Sequence, residues 1–284
     1  MPRHSSLALA VFFSTSALLL AQKPSPSTPK SATERARAVL AAGAADNEPE
    51  VRREVAVAFS LSRSTDPSFA TLQLLLADKD YLCREAAIAT VGQLGDPKLA
   101  PLVRPALQDD VPEVMFAAAR ALQQLGDPDG ARALVEIIDR EHKAESSMFR
   151  GKLRDVARRL KTPKSVLLFA TEQGIGFAPV PGLGEGYSAL TAMLTDVEFS
   201  PRAAALLSLA SIRSAESRKM VDQAFSDDDW SMRAAAIQMM ASWNDRPWRV
   251  RLVPLLADSN KKVRFRAAAV YLRLTDSGRS TSSK

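Results

Sequence analysis

The chain has 284 residues, which is enough for a full hydrophobic core, and it is 46% apolar and 25% charged, as globular proteins are. Aromatic residues make up only 6%, so the composition favours packed helices over sheets. The formal net charge of +6 is modest, so it permits an anionic partner without demanding one. The single cysteine, Cys83, excludes an internal disulfide, and we expect it to be a small core residue within a helix.

The N-terminal segment predicts export. An uncharged run over residues 7–21 follows Arg3, and it is too short to span a membrane comfortably. It has the length of the apolar part of a secretory signal peptide, and it ends at an acceptable cleavage site, Leu19-x-Ala21. We therefore expect a signal peptide over 1–21, a Pro/Ser linker over 22–32, and a periplasmic or extracellular mature protein. The alternative is a protein tethered to the membrane by an uncleaved N-terminal segment.

A 31-residue period runs through the rest of the chain. Each copy has an Asp, then an Arg six residues later, then an Ala-rich helical run. The copies that carry both residues most clearly are Asp78 with Arg84, Asp196 with Arg202, Asp227 with Arg233, and Asp258 with Arg264. The copy at Asp109 has Met115 in the Arg place, and the first copy fits either Asp46 with Arg52 or Asn47 with Arg53. With a weaker copy near Arg150, the period predicts about seven repeats.

Each repeat is predicted to be a pair of antiparallel helices. The first helix follows an Asp-Pro step at Asp66, Asp96 and Asp127, and a similar step at Asp245, where the Asp caps the helix and Pro presets its first turn. Leu-Gly-Asp at 94–96 and 125–127 ends one helix and begins the next. In the second helix, the residues three, seven and ten places after the Arg position form one apolar stripe, which we expect to be buried.

These Asp–Arg pairs and the Ala-Ala runs after them resemble the HEAT family, in particular the bacterial HEAT-like repeats also found in phycobilisome lyases. The resemblance covers residues 33–276 and implies an all-α fold, a right-handed α-solenoid with a curved face lined by the second helices. It also implies that the four Asp–Arg pairs form a structural ladder between neighbouring turns, which Met115 interrupts. Residues 277–284 are expected to be a disordered tail.

The repeat pattern breaks between repeats four and five. Residues 161–185 form a Gly/Pro-rich insertion, which either plugs the junction between these repeats or presents an exposed lip to a partner. The densest basic cluster of the chain lies just before it, and it is either a solvated helix face or an anion-binding or partner-binding patch. The candidate partner-binding residues are Arg150, Arg154, Arg158, Arg159, Lys161 and Phe177.

The sequence offers little material for catalysis. After signal removal His142 is the only histidine, which argues against imidazole bases and excludes zinc sites that need several Cys or His. No dinucleotide or phosphate-loop motif is present, so we expect no cofactor. We expect an exported, non-enzymatic interaction module that binds a protein, or an anionic polymer, through its curved face and the 150–185 region. Nucleic acid is a less favoured partner, and the alternative function is a lyase-type enzyme or enzyme subunit with a small-molecule pocket at the insertion.

Overall fold

In a computed structural model, residues 31–63, 67–139 and 199–276 are described, and every regular element among them is helical. The α-helices are α1 (Ala32–Ala44), α2 (Pro49–Ala58), α3 (Phe69–Leu75), α4 (Tyr81–Leu94), α5 (Ala100–Val103), α6 (Pro112–Gln124), α7 (Pro128–Asp139), α8 (Pro201–Ser208), α9 (Ala215–Ala224), α10 (Trp230–Trp243), α11 (Leu252–Leu255) and α12 (Lys261–Asp276). They confirm the predicted α-solenoid. The predicted signal peptide, insertion and tail, and most of the linker, lie outside the described residues.

We number the repeats one to seven in chain order. The second helices of repeats one, two, three, five, six and seven are α2, α4, α6, α8, α10 and α12. The first helix of repeat four is α7. The segments that the sequence predicts as the second helix of repeat four and the first helix of repeat five lie outside the described residues.

Local sequence accounts for most helix ends. Ser31 and Glu34 form a capping box at the start of α1, in which each side chain accepts a hydrogen bond from the backbone N–H of the other residue. Asp80 caps α4 by accepting from the N–H of Cys83. Gly95 and Gly126 have φ angles of +64° and +75°, the left-handed conformation that glycine adopts most readily after a helix. The predicted Leu-Gly-Asp boundaries are therefore confirmed.

Two of the predicted first helices are wrong in detail. In repeat three, α5 is only four residues long and lies between 3-10 turns over 97–99 and 104–108. In repeat seven, a 3-10 turn over 246–251 precedes the equally short α11. Proline lacks an N–H and its ring crowds the preceding turn, so Pro105 and Pro254 prevent one continuous α-helix in these segments. Asp245 was expected to cap such a helix, but its side chain forms no capping hydrogen bond and binds Arg218 instead.

The order of the repeats in space differs from their order in the chain. In the C-terminal part, α8 packs on α10 and α10 packs on α12; in the N-terminal part, α2 packs on α4 and α4 packs on α6. The last helix, α12, packs against both α1 and α2. The stack therefore runs five, six, seven, one, two, three, four. Repeats one and seven, at opposite ends of the chain, are neighbours in the middle of the stack.

The predicted apolar stripe is largely buried in repeats two, three, six and seven, with Leu94 and Tyr271 half-buried. Its first column is fully buried at Ala87, Ala118, Ala236 and Ala267. In repeat five the prediction is wrong, because Ala205 is exposed and Ile212 is 51% exposed. This helix stands at one end of the described stack, where no second helix of a described repeat covers that side. Cys83 is fully buried in α4, as predicted.

Candidate functional site

Arginines on four of the described second helices tie a repeat to the next one in the stack. The Nε and Nη2 atoms of Arg52 donate to the carboxylate of Asp78 over 2.7 and 2.9 Å, while Nη1 donates to the carbonyl oxygen of Asp46 over 2.8 Å. The same arrangement joins Arg84 to Asp109 and Arg233 to Asp258. In three of the predicted pairs the arginine donates to the carbonyl oxygen of the Asp, while the carboxylate of that Asp binds the arginine of the preceding repeat. These pairs are Asp78 with Arg84, Asp227 with Arg233, and Asp258 with Arg264.

The first rung also decides between the two alternatives left by the sequence. Arg52, and not Arg53, takes the ladder position, because Arg52 is buried and binds the next repeat while Arg53 is exposed and pairs only with Glu50, three residues away. Arg202 binds Asp227 over 2.8 Å in a more exposed rung. Asp196 lies outside the described residues. Met115 is buried where a rung arginine would stand, and Arg104 on the preceding segment binds Asp127 of repeat four.

The electrostatics of the rungs suit a structural role. The hydrogen bond from Arg52 holds the pKa of Asp78 below its ordinary value, and the hydrogen bond from Arg202 does the same for Asp227. In turn, the carboxylates raise the pKa values of Arg52, Arg84 and Arg233. In the rungs of Arg52 with Asp78 and of Arg202 with Asp227, these shifts favour the ionised form of both groups, as suits a structural ion pair.

The ladder is interrupted where repeat seven meets repeat one. Arg264 donates to the carbonyl oxygens of Asp258 and Ser259, as the other rung arginines do within their own turns. Among the described residues it forms no hydrogen bond to Asp46, which holds the equivalent place in repeat one and accepts from the N–H of Glu48 instead. This boundary is therefore built differently from the others in the described stack.

Other contacts hold this boundary together. Gly43 of α1 lies so close to α12 that a Cβ atom would stand 2.5 Å from the ring of Phe265 and 2.6 Å from Val55. Arg266 pairs with Glu54 over 3.3 Å, and both side chains are buried. Arg35 donates to the carbonyl oxygen of Val253 over 2.9 Å, and an exposed pair joins Lys261 to Glu48. We call this contact between repeats seven and one the junction.

The curved face predicted as a partner surface is the side of the second helices that faces away from the first helices. Neighbouring second helices meet through two other sides, as shown by Thr90, which donates to the carbonyl oxygen of Ala56, and by Gly92, which lies against Ala121. At 100° per residue, the remaining side carries the residues two, five and nine places after the Arg position. We call it the inner face. Its polar members are Glu54, Gln93, Arg120, Gln124, Gln238, Ser242, Arg266 and Arg273.

The inner face differs along the stack. In repeats two and three, Gln93 and Arg120 are half-buried and Gln124 is exposed, with the small side chains of Ala86 and Ala89 beside them. In repeats six, seven and one, its polar side chains are almost all buried, among them Arg273. Burial, and after it the charge of Arg63, lower the pKa of Arg273 to about 10. Among the described second helices, most of the accessible polar part of the inner face therefore lies on repeats two and three.

Sequence reasoning did not single out these residues. The candidate residues that it named, Arg150, Arg154, Arg158, Arg159, Lys161 and Phe177, all lie outside the described residues. One sequence signal could have indicated these inner-face residues. It is a charged or amide side chain within an Ala-rich run, such as Arg120 in "FAAARALQQ", because packing alone favours alanine there.

The described residues hold no group of three Cys, His, Asp or Glu that is suited to a metal ion. Cys83 is buried, its Sγ donates to the carbonyl oxygen of Pro49, and desolvation raises its pKa to about 12. Such a thiol is a poor nucleophile, because the thiolate is the reactive form. Asp229 caps α10 by accepting a hydrogen bond from the N–H of Ser231, so this acidic side chain has a structural role.

A comparison with protein families agrees with this geometry. A profile described as HEAT repeats matches residues 68–146 and 187–273, together more than half of the chain. The chain belongs to the HEAT-repeat family. HEAT repeats generally serve as scaffolds for protein interaction and are typically non-enzymatic. Among curated proteins, none matches this HEAT-repeat chain.

The matched regions include only the repeat-seven side of the junction. They cover α12 as far as residue 273 and begin at residue 68, so α1 and α2 precede the first match. Repeat one nevertheless packs as the other HEAT repeats do, with Arg52 as a rung. No helix in the described part of the chain is both long enough and apolar enough to cross a membrane.

Proposed function

We propose that this HEAT-repeat protein is an exported, non-enzymatic interaction module that binds another protein through its inner face, together with the region 150–185. The observation that carries the proposal is the accessible inner face of repeats two and three. Gln93, Arg120 and Gln124 have long side chains with several hydrogen-bonding atoms, and the small side chains of Ala86 and Ala89 lie beside them. The rungs hold this surface in a fixed curve, which limits the entropy lost on binding.

Isosteric substitutions test the inner face. Replacing Gln93 and Gln124 together by Glu keeps their shape, removes two amide donors and adds two charges, so we expect recovery of the bound partner to fall. The partner is captured with the tagged wild-type protein, identified by mass spectrometry, and quantified with each variant. The matched control replaces Gln108 and Gln223, which are exposed outside the inner face, in the same way. Equal recovery with both double variants would remove the inner face from the proposal.

The region 150–185 and the export signal need separate tests. Replacing Arg154 and Arg158 by Glu in the same capture experiment is expected to reduce recovery if the basic cluster contributes, and unchanged recovery would remove it from the proposal. An anionic polymer as partner predicts binding that weakens steeply with salt. Mass spectrometry of the mature N-terminus is expected to place it after Ala21, and an intact N-terminus on a cytosolic protein would refute export.

A further inference from the structure

Repeats four and five stand at opposite ends of the stack although they follow each other in the chain. The described part of repeat four ends at residue 139, and that of repeat five begins at residue 199. A closed ring of repeats would bring these ends together, but Ala205 is exposed and Ile212 is 51% exposed on the free side of α8. The chain between the two repeats, residues 140–198, therefore has to pass along the stack.

The predicted insertion, residues 161–185, is long enough for this passage. Six steps separate repeat four from repeat five in the stack, and packed helices lie about 8–10 Å apart, so the distance is about 50–60 Å. An extended chain reaches about 3.3 Å per residue, so the 25 residues of the insertion reach about 80 Å. The segments before and after the insertion are then left for the predicted helices of repeats four and five.

Three of the four sides of the stack are open in its middle. On the outer side, which the first helices form, Leu74 is 74% exposed and Val250 is 64% exposed. The two edges of the stack, where the turns lie, also have exposed residues. They are Asn47, Lys79 and Ser259 at the turns within repeats, and Arg63, Gly95 and Asn244 at the turns between repeats. The passing chain thus leaves these three sides uncovered.

The inner face is the side that is covered, and the cover lies over repeats six, seven and one. Ala269 in repeat seven is fully buried, whereas Ala89, at the equivalent place in repeat two, is half-buried. Gln238 in repeat six is fully buried, whereas Arg120, at the equivalent place in repeat three, is half-buried. The described elements that pack on α12 are α1, α2, α10, α11 and the adjoining 3-10 turns, which lie on its other sides. Packing between the described helices therefore does not account for this burial.

We propose that the insertion, residues 161–185, crosses the stack over the inner face of repeats six, seven and one. This surface combines apolar side chains, such as Val57, with the hydrogen-bond donors of Arg266 and Arg273. Residues 173–184 carry no charge, so the insertion offers apolar side chains to the first group and backbone carbonyl oxygens to the second. It lies less closely on repeats two and three, where the proposed function places a partner. The crossing belongs to the free protein and is independent of that partner.

Cysteine labelling of the full-length protein tests the crossing. The variant Ala269→Cys is treated with a thiol reagent, once with the natural insertion and once with residues 165–184 replaced by a Gly/Ser linker of equal length. The linker keeps repeats four and five connected but has no apolar side chains to pack, so labelling at residue 269 is expected to become at least about tenfold faster. Mass spectrometry of the peptides measures each site separately.

Two buried sites in the same helical stack serve as controls. The native Cys83 is fully buried away from the inner face, so its labelling reports unfolding of the protein. Ala267→Cys is the matched control, because Ala267 is as fully buried in α12 as Ala269 but belongs to the stripe that faces the first helices. Both sites should stay slow with the linker.

A second measurement keeps most of the natural insertion. Ala269→Cys is combined with one of Gly176→Cys, Ala178→Cys and Gly182→Cys, and oxidation is expected to form a disulfide in at least one combination. Ala42→Cys, on the exposed side of α1, should form none with the same three variants.

Three results would overturn the proposal. The first is rapid labelling of Ala269→Cys beside the natural insertion. The second is slow labelling that the linker leaves unchanged, which would assign the cover to another part of the chain, such as residues 1–30. The third is the absence of a disulfide from all three combinations, and this result decides the matter if fast labelling of Cys83 shows that the linker variant is unfolded.

Discussion

Replacing Arg52 by methionine removes one buried rung and leaves its partner in place. Arg52 makes four hydrogen bonds, two to the carboxylate of Asp78 and two to the carbonyl oxygens of Asp46 and Asn47. The side chains of Arg52 and Asp78 are only 6% and 8% exposed, so water replaces the lost donors poorly. Removing one partner of a fully buried charged pair costs about 3–5 kcal/mol. Because this rung lies near the surface, we expect a smaller loss of about 2–3 kcal/mol in the free energy of unfolding.

Methionine is the substitution of choice because the protein already has it at one ladder position. Met115 is buried where repeat three lacks a rung arginine, so this side chain fits the site without a cavity. The measurement is the denaturant midpoint, with the slope of the transition unchanged between wild type and variant. Hydrogen exchange is expected to increase first in α2 and α4, which the rung joins.

The matched control is Arg202→Met, which removes a rung whose arginine is 65% exposed. Solvent screens that pair, and exposed ion pairs contribute little, so its loss of stability should be much smaller. Adding Asp78→Leu to Arg52→Met should restore part of the lost stability, because no carboxylate is then left buried. If Arg52→Met and Arg202→Met cost the same, burial does not set the strength of the rungs and the reasoning fails.

Three further predictions concern acid, the thiol and the junction. The pKa of Asp78 is lowered in the folded state, so the stability that its ion pair contributes is fully present above the ordinary pKa of 3.8 and is lost as the pH falls through the lower folded value. The free energy of unfolding should therefore fall less steeply with pH over this range in Arg52→Met than in wild type. Cys83 should react with a thiol reagent only at the rate of unfolding, measured by mass spectrometry, since its pKa is about 12 and it is buried. Gly43→Val should cost about 1–3 kcal/mol in thermal or denaturant unfolding because it overlaps Phe265, whereas Ala42→Val on the exposed side of α1 should cost little.

Local features of the fold were predictable from the sequence because their causes lie within a few residues. The Leu-Gly-Asp boundaries place a left-handed glycine and a capping Asp at adjacent positions, so they define helix ends without any tertiary contact. The ladder residues could be identified from the sequence because a rung needs an Asp and an Arg, and these recur at the same positions in most repeats. The interruptions of the first helices were also within reach, since Pro105 and Pro254 stand inside the segments that they break.

The candidate site was less accessible from the sequence. Periodicity selects positions that are alike in every repeat, and the inner face is formed by positions that differ between repeats. Gln93 and Gln124 occupy equivalent places in repeats two and three, but the same place is Arg273 in repeat seven and Ser242 in repeat six. The exposure that separates these positions depends on what lies over each part of the stack, which no single repeat encodes.

The order of the repeats in space depends on contacts between the two ends of the chain. Successive HEAT repeats have similar faces, so the face of α12 that meets α1 differs little from the face of α10 that meets α12. The residues specific to the junction are those that depart from the pattern: Gly43, which allows close approach, and the pair of Glu54 with Arg266, which replaces alanine on the inner face. Covalent continuity holds other neighbours together through short turns, and here it is absent.

The junction therefore relies on specific ion pairs between repeat seven and repeat one. Arg264 forms no rung to Asp46, and the ion pairs at this boundary, Lys261 with Glu48 and Arg266 with Glu54, all place a base from repeat seven against an acid from repeat one. Burial of Phe265 and Val55 against α1 adds the apolar contact that stabilises the junction. Two parts of the chain that meet without a short turn between them are thus held together by residues that depart from the repeat pattern.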